Sequence, residues 1–97
     1  MTIRVVLADD HVLMRQGVSQ MLNANPNISV VGECDDGVEL IAAVLKLSPD
    51  VILMDISMPR MSGLVAIDKI LSQRRDAKIL VLSMHNEVEY IEAMRDA

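Results

Sequence analysis

Residues 3–11 read IRVVLADDH and residues 51–55 read VILMD, so two short apolar runs each end in carboxylates. Both runs are rich in Val, Ile and Leu and are too short for an independent helix, which is typical of strands buried on both faces of a sheet. We therefore predict strands over Ile3–Ala8 and Val51–Met54. The acidic residues that follow should lie at the carboxyl ends of those strands.

The rest of the chain alternates between similar apolar runs and amphipathic segments. Ser29–Gly32 and Ile79–Leu82 are predicted as the second and fourth strands. Apolar residues at helical spacing predict four helices, with the stripes Met14, Val18, Met21 and Leu22; Leu40, Ile41, Val44 and Leu45; Leu64, Ile67, Ile70 and Leu71; and Val88, Ile91 and Met94. Asn86 is expected to cap the last helix. This alternation predicts an α/β fold, a doubly wound parallel sheet with helices on both faces.

Composition limits the class of protein. The 97 residues have the length of one domain, since domains cluster near about 100–150 residues. A net charge of −5 and a single aromatic residue argue against binding to nucleic-acid phosphates or stacking on bases. Cys34 is the only cysteine, and the chain has neither a signal-peptide pattern nor an apolar run of membrane length. We expect a reducing, cytoplasmic setting.

Polar groups follow three of the predicted strands. They are Asp9 with Asp10, then Asp55, then Ser83. Ligands of doubly wound sheets bind beyond the carboxyl ends of the strands, so these groups should converge at one edge. Clustered carboxylates repel one another and favour a bound cation, and oxygen ligands suit Mg²⁺, whereas the two histidines are too few and badly spaced for zinc. Position alone leaves helix capping or a loop role equally open, because Asp is common in both.

Five segments in a fixed order carry a family resemblance. They are Val6–His11, Val31–Glu33, Asp36–Gly37, Pro49–Gly63 and Leu80–Ser83. Together they resemble the receiver domain of NarL/FixJ-type two-component response regulators, and the likeness covers essentially the whole chain. It implies a flavodoxin-like, CheY-like fold with strand order 2-1-3-4-5, in which the first and third strands are neighbours. Asp10 would then lie beside Asp55.

The resemblance also implies a role for each matching residue. Asp55 would be the phosphoacceptor for a sensor histidine kinase, and the output would be transcriptional. Asp10, Asp55 and the backbone carbonyl of Ser57 would hold Mg²⁺, with Asp9 acting directly or through water. Ser83 would be the switch hydroxyl that turns toward the phosphoryl group, although a strand-end serine often bonds only to local backbone. Such a protein is a switch and not a turnover enzyme.

Three further residues could be mistaken for catalytic groups. His11 and His85 each adjoin a predicted helix start, so loop or capping roles are expected for both. By resemblance, His85 and Ser57 occupy positions that tune dephosphorylation. Cys34 ends an apolar strand and is expected in the core or at an edge, not as a nucleophile.

The chain departs from the family near its end. A complete receiver continues into a fifth strand and helix that supply a phosphate-contacting Lys and an aromatic switch residue; Lys78 and Tyr90 do not match these positions. We therefore expect residues 1–97 to be a receiver truncated at its C-terminus, with four strands and four helices and without a DNA-binding domain. An unpaired edge along Ile79–Leu82 would then favour self-association.

Two alternatives remain open. The chain could be a pseudo-receiver that binds protein without being phosphorylated, which the missing Lys makes plausible. A haloacid-dehalogenase-type phosphatase also uses an Asp after a strand but needs a second Asp two residues later. Ser57 occupies that place and disfavours this second alternative.

Overall fold

The computed structural model describes residues 2–55, 63–74, 76–82 and 88–92. The elements within them are β1 (Ile3–Ala8), α1 (Val12–Asn23), β2 (Ile28–Cys34), α2 (Gly37–Leu47), β3 (Val51–Asp55), α3 (Gly63–Gln73), β4 (Lys78–Leu82) and β5 (Val88–Glu92). None of these helices is long and apolar enough to cross a membrane. The predicted α/β fold, a parallel sheet of four strands with helices, is confirmed.

The strands are arranged in the order β2-β1-β3-β4-β5. β1, β2, β3 and β4 run parallel, because each is joined to the next by a helical crossover. β1 lies between β2 and β3, and its register with β3 runs from the pair Val5–Val51 to the pair Ala8–Met54. Asp9, which follows β1, and Asp55, which ends β3, therefore lie side by side.

Most of the core lies between the sheet and the two helices α2 and α3. The strands alternate, so every second side chain points to that face. Its buried apolar residues are Val6, Ala8, Ile52, Met54, Ile79 and Val81 from the strands and Leu40, Val44, Ala66, Ile67 and Ile70 from the helices. Val5 and Leu7 alternate with Val6 and Ala8 along β1 and are also buried. A continuous apolar strand is required for burial on both faces, as the sequence of β1 predicts.

Hydrogen bonds fix both ends of α2, from side chains at its start and from the backbone at its end. The carboxylate of Asp36 accepts a hydrogen bond from the backbone N–H of Glu39 at 2.9 Å, and Glu39 accepts one from the N–H of Asp35 at 2.8 Å. These bonds satisfy amides that a helix start otherwise leaves without partners. Ser48 ends the helix at φ 47°, in the left-handed region, and its N–H donates to the carbonyl of Val44.

The predicted buried face of α1 is only partly correct. Met21 is 72% exposed and Met14 is 47% exposed, whereas Val18 and Leu22 are half-buried. The buried residue of this helix is Ser19, whose hydroxyl donates to Glu33 at 3.3 Å. The buried side of α1 thus carries a polar contact to β2, and the helical spacing of apolar residues was a poor guide to the orientation of this helix.

The prediction of a fourth helix is wrong for residues 88–92, which form β5. This strand runs antiparallel to β4, with pairs from Lys78–Glu92 to Leu82–Val88. Val88, Tyr90 and Ile91 belong to the residue types that favour strands, and the ladder along β4 supplies hydrogen-bond partners that outweigh the helical spacing. Met94 and Asn86 lie outside the described residues.

β5 also changes the expectation of an unpaired edge. The backbone of β4 is paired along its length on both sides, with β3 on one and β5 on the other. The predicted open edge along Ile79–Leu82 is therefore wrong, and the argument for self-association through that edge falls with it.

Candidate functional site

The carboxyl end of β1 is fixed to its neighbour by the backbone of Asp9. The N–H of Asp9 donates to the carbonyl of Cys34 at the end of β2, at 3.0 Å. Asp9 is only 7% exposed, which is unusual for a carboxylate and requires compensating contacts. The end of β1 is thereby held in place before any ligand is considered.

Three carboxylates and one imidazole meet at this edge of the sheet. One donor atom from each of Asp9, Asp10, His11 and Asp55 can be chosen so that all four lie within 4.8 Å of one another. The first three follow β1 and the fourth ends β3, so the parallel pairing of these strands creates the cluster. The convergence of Asp9 and Asp10 with Asp55, which the sequence predicts, is present in the structure.

The carboxylates differ in their access to solvent. The side chains of Asp9 and Asp55 are 11% and 14% exposed, and that of Asp10 is 34% exposed. Two carboxylates about 4 Å apart repel by about 4 kcal/mol at an effective dielectric constant of 20. A cation that reaches the cluster from the Asp10 side would remove this repulsion. The donor set therefore fits a divalent metal ion, and oxygen predominates in it.

The ring of His11 turns into the cluster, which sequence analysis did not predict. His11 occupies the N-cap position of α1 but makes no side-chain cap bond. Its backbone N–H donates to Oδ1 of Asp9 at 2.8 Å, and its Nδ1 lies 3.1 Å from the same oxygen. Nδ1 is also 3.2 Å from Asp10 Oδ1 and 3.9 Å from Asp55 Oδ2. The hydrogen bond to Asp9, followed by the charge of Asp10, raises the pKa of His11 above 6.5.

Arg15 supports the cluster by bonding to the backbone that carries it. The sequence did not predict this role. Its Nη1 donates to the carbonyls of Asp9 at 2.8 Å and Cys34 at 3.2 Å and to the carboxylate of Asp35, while its Nε donates to Glu33 at 3.1 Å. Asp35 is the main cause of the raised pKa of this guanidinium. Arg15 thus ties the segment after β1 to the segment after β2. A signal was available: Arg15 follows His11 by one helical turn.

The remaining predicted residues are not at this cluster. Ser57, Ser83 and His85 lie outside the described residues. Lys78 is exposed at the start of β4, at the opposite end of the sheet, and Tyr90 lies in β5. Cys34 is 3% exposed, as predicted for a core position, and burial raises the pKa of its thiol to about 11.

Comparison with known proteins identifies the family. The model of the response regulator receiver domain matches residues 5–97. The transcriptional regulatory protein DegU of Brevibacillus brevis is 42% identical over 89 residues, which are 92% of this chain and 38% of that protein. The chain therefore spans less than half the length of this curated relative.

Two solved structures share the fold. A two-component response regulator of the LuxR family from Aurantimonas sp. SI85-9A1 superposes with a TM-score of 0.83 at 32% identity, covering 88% of this chain and 61% of that one. The isolated receiver domain of RcsB from Salmonella enterica serovar Typhimurium, in the presence of the phosphomimetic BeF3−, superposes with a TM-score of 0.80 at 32% identity, covering 90% of this chain and 65% of that one. Given the family match and these likenesses, the chain belongs to the response regulator receiver domains, of the NarL/FixJ type.

Proposed function

We propose that the chain is a phosphoacceptor switch in which Asp55 takes a phosphoryl group from the phosphohistidine of a sensor kinase. The observation that carries this proposal is the meeting of Asp9, Asp10 and Asp55 within one 4.8 Å cluster at the carboxyl ends of β1 and β3. Asp55 is the acceptor because it alone ends the strand at the centre of the sheet, between β1 and β4. The two residues after β1 then serve as its partners.

The transfer needs little from the protein beyond placement and charge. An oxygen of the Asp55 carboxylate attacks phosphorus in line with the P–N bond, that bond breaks, and the histidine of the kinase leaves with the electron pair. The product is an acyl phosphate on Asp55. No protein base is required, since a carboxylate is already deprotonated at neutral pH. Autodephosphorylation returns the protein to its starting state.

Mg²⁺ is the proposed cofactor. Asp9, Asp10 and Asp55 would hold it together with the backbone carbonyl of Ser57, and it would neutralise charge on the phosphoryl oxygens. Asp9 is well suited to an indirect role, because its Oδ1 already accepts two bonds from His11. Asp10 is the most exposed of the three carboxylates and offers the entry side.

Ser83 is the proposed switch hydroxyl, and the output is proposed to be transcriptional. β4 ends at Leu82, which pairs with Asp55 at the end of β3, and Ser83 follows Leu82 in the sequence. The relative from B. brevis is named a transcriptional regulatory protein. We therefore propose a DNA-binding domain in the parent protein, with this chain as its receiver, acting in the cytoplasm.

A small phosphodonor with Mg²⁺ tests the proposal. The chain should gain one acid-stable, base-labile phosphoryl group, and Asp55→Asn should abolish it. Asp50→Asn is the matched control, because Asp50 lies at the other end of β3 and should leave labelling intact. Intact-mass spectrometry, followed by peptide mapping after reduction of the acyl phosphate, measures both. Undiminished labelling of Asp55→Asn would contradict the assignment.

The alternative function is a pseudo-receiver that binds protein without phosphorylation. It predicts no labelling of the unmodified chain under the same conditions, even when Mg²⁺ binds.

A further inference from the structure

The ring of His11 has no role in the phosphotransfer proposed above, yet it lies among the carboxylates. Nδ1 is 3.1 Å from Asp9, 3.2 Å from Asp10 and 3.9 Å from Asp55. The bond from the backbone N–H of His11 to Asp9 at 2.8 Å holds the residue in this position. A ring fixed only by helix capping would bond to amides of the first turn, and the His11 side chain makes no such bond.

These distances are close to those between the ligands of one metal ion. A tetrahedral zinc ion with nitrogen and oxygen ligands at about 2.0–2.2 Å holds its ligand atoms about 3.3–3.6 Å apart. The separations of Nδ1 from the three carboxylate oxygens bracket that range, and all four donor atoms lie within 4.8 Å of one another, so a bound ion would draw the more distant donors closer together. Three carboxylates and one imidazole also supply the coordination number of four that zinc adopts in proteins.

The chemistry of the donors matters as much as their spacing. Mg²⁺ prefers oxygen ligands and keeps several waters, so an imidazole adds little to its affinity. Zinc and nickel bind imidazole well and, on sites of this kind, bind more tightly than magnesium. One nitrogen donor among oxygen donors therefore alters which metal ion the site prefers. A neutral imidazole has little effect on the net charge of the site.

We propose that His11 is a further metal ligand, through Nδ1, which gives the acidic site affinity for imidazole-preferring divalent cations, with zinc as the reference. This inference deepens the proposed function, because it concerns the same carboxylates that would hold Mg²⁺. Zinc bound through His11 and the three carboxylates competes with Mg²⁺ for the site, and it occupies oxygens that a phosphoryl group needs in Asp55. A cation of this class would thus oppose phosphorylation.

Calorimetric titration of the metal-depleted chain with zinc and, separately, with magnesium tests the role of His11. His11→Gln keeps a polar side chain of similar reach at a position whose side chain is 66% exposed, so the variant should fold. Loss of a residue that only hydrogen-bonds to a metal ligand weakens metal binding by about 10–100-fold, so loss of a direct ligand should weaken zinc binding by at least about tenfold. The affinity for magnesium should change by less than about twofold, because the imidazole contributes little to it.

Nitrogen-15 spectra of the histidine rings give a second, independent readout. Zinc should shift Nδ1 of one histidine strongly, and that signal should be the one missing from His11→Gln. His85, the other histidine in the chain, provides the comparison within each spectrum. Asp55→Asn should also weaken zinc binding while leaving the His11 signal in place.

The outcomes separate this inference from the proposed function. Equal zinc affinity in His11→Gln and in the unmodified chain, with no shift of Nδ1, would overturn the role of His11 and leave the magnesium site standing. Zinc binding that depends on His11 without any magnesium binding would support the inference and overturn the proposed cofactor. Failure of both metals to bind would overturn both.

Discussion

Charged side chains have different partners at the two ends of the sheet. At the amino-terminal end, Asp50 accepts the backbone N–H of Arg4 at 2.8 Å, and the Arg4 guanidinium donates to the carbonyl of Ser48 at 3.0 Å. Arg74 donates to the hydroxyl of Ser48 at 2.6 Å. At the carboxyl end, three carboxylates share one imidazole. The first arrangement closes loops within the chain, whereas the second places like charges together.

This difference indicates which end of the sheet fits a cation. Charges that stabilise a fold are placed beside groups of opposite charge or beside backbone dipoles. Carboxylates placed beside one another weaken the fold unless a cation joins them. A cation bound to these carboxylates should therefore stabilise the carboxyl end, and removal of an acidic side chain should have effects of opposite sign at the two ends.

The largest effect on stability is expected at Arg15, which bonds to the segments at the carboxyl ends of β1 and β2. Arg15→Ala removes bonds to two backbone carbonyls and two carboxylates and should lower the free energy of unfolding by about 1–3 kcal/mol. Arg74→Ala, at the amino-terminal end, loses the hydrogen bond to the Ser48 hydroxyl and should lower the free energy of unfolding by about 0.5–1.5 kcal/mol. Urea denaturation of both variants measures the difference. Equal losses would show that Arg15 does not hold the segments after β1 and β2 together.

The next largest change in stability should have opposite signs at the two ends of the sheet. Asp10→Asn removes one of the clustered charges and should stabilise the metal-free chain by up to about 1 kcal/mol, since it relieves carboxylate repulsion. Asp50→Ala removes an acceptor for the N–H of Arg4 and should destabilise the chain by about 0.5–1.5 kcal/mol.

The response of the melting temperature to Mg²⁺ gives a further comparison of the two ends of the sheet. Millimolar Mg²⁺ should raise the melting temperature of the unmodified chain and of Asp50→Ala, because a ligand that binds only the folded state stabilises it. Asp10→Asn should lose most of this response. Melting curves that respond to pH near neutrality but not to Mg²⁺ in any variant would contradict the proposed metal site.

The smallest expected effect concerns His11 and pH. The hydrogen bond to Asp9 and the charge of Asp10 raise the pKa of His11 above 6.5 in the folded chain. Its contribution to stability is therefore fully present below pH 6.5 and is lost as the pH rises through the raised pKa. Proton NMR of the ring should show this pKa fall in Asp9→Asn. A pKa of His11 that is the same in both proteins would contradict the contact.

The sequence predicts the central part of this molecule well. β1 and β3 are apolar runs, so their burial follows from their residue types, whereas the pairing that brings Asp10 beside Asp55 was implied by the family resemblance. The resemblance to receiver domains supplied the strand order, which no local pattern contains. These predictions succeed because burial on both faces leaves few choices of residue type.

The sequence fails where local pattern and tertiary contact disagree. Val88 and Ile91 have helical spacing, but the ladder along β4 takes them into a strand. Met21 belongs to an apolar stripe, but it is 72% exposed, and the buried residue of α1 is Ser19, which bonds to Glu33. His11 was predicted to have a loop or capping role, because no sequence pattern reveals that a ring turns back to a carboxylate two residues earlier. Ser57 and Ser83 stay predictions.

The pairing of β1 with β3 also determines when the site comes into being. Asp9 and Asp10 meet Asp55 only after the chain between them has folded through α1, β2 and α2, so the cluster is a long-range contact whose closure costs chain entropy. The carboxylate cluster is thus a property of the assembled sheet. Because β3 is the central strand, opening it would cost nearly the full free energy of unfolding, so the cluster should persist for as long as the domain stays folded.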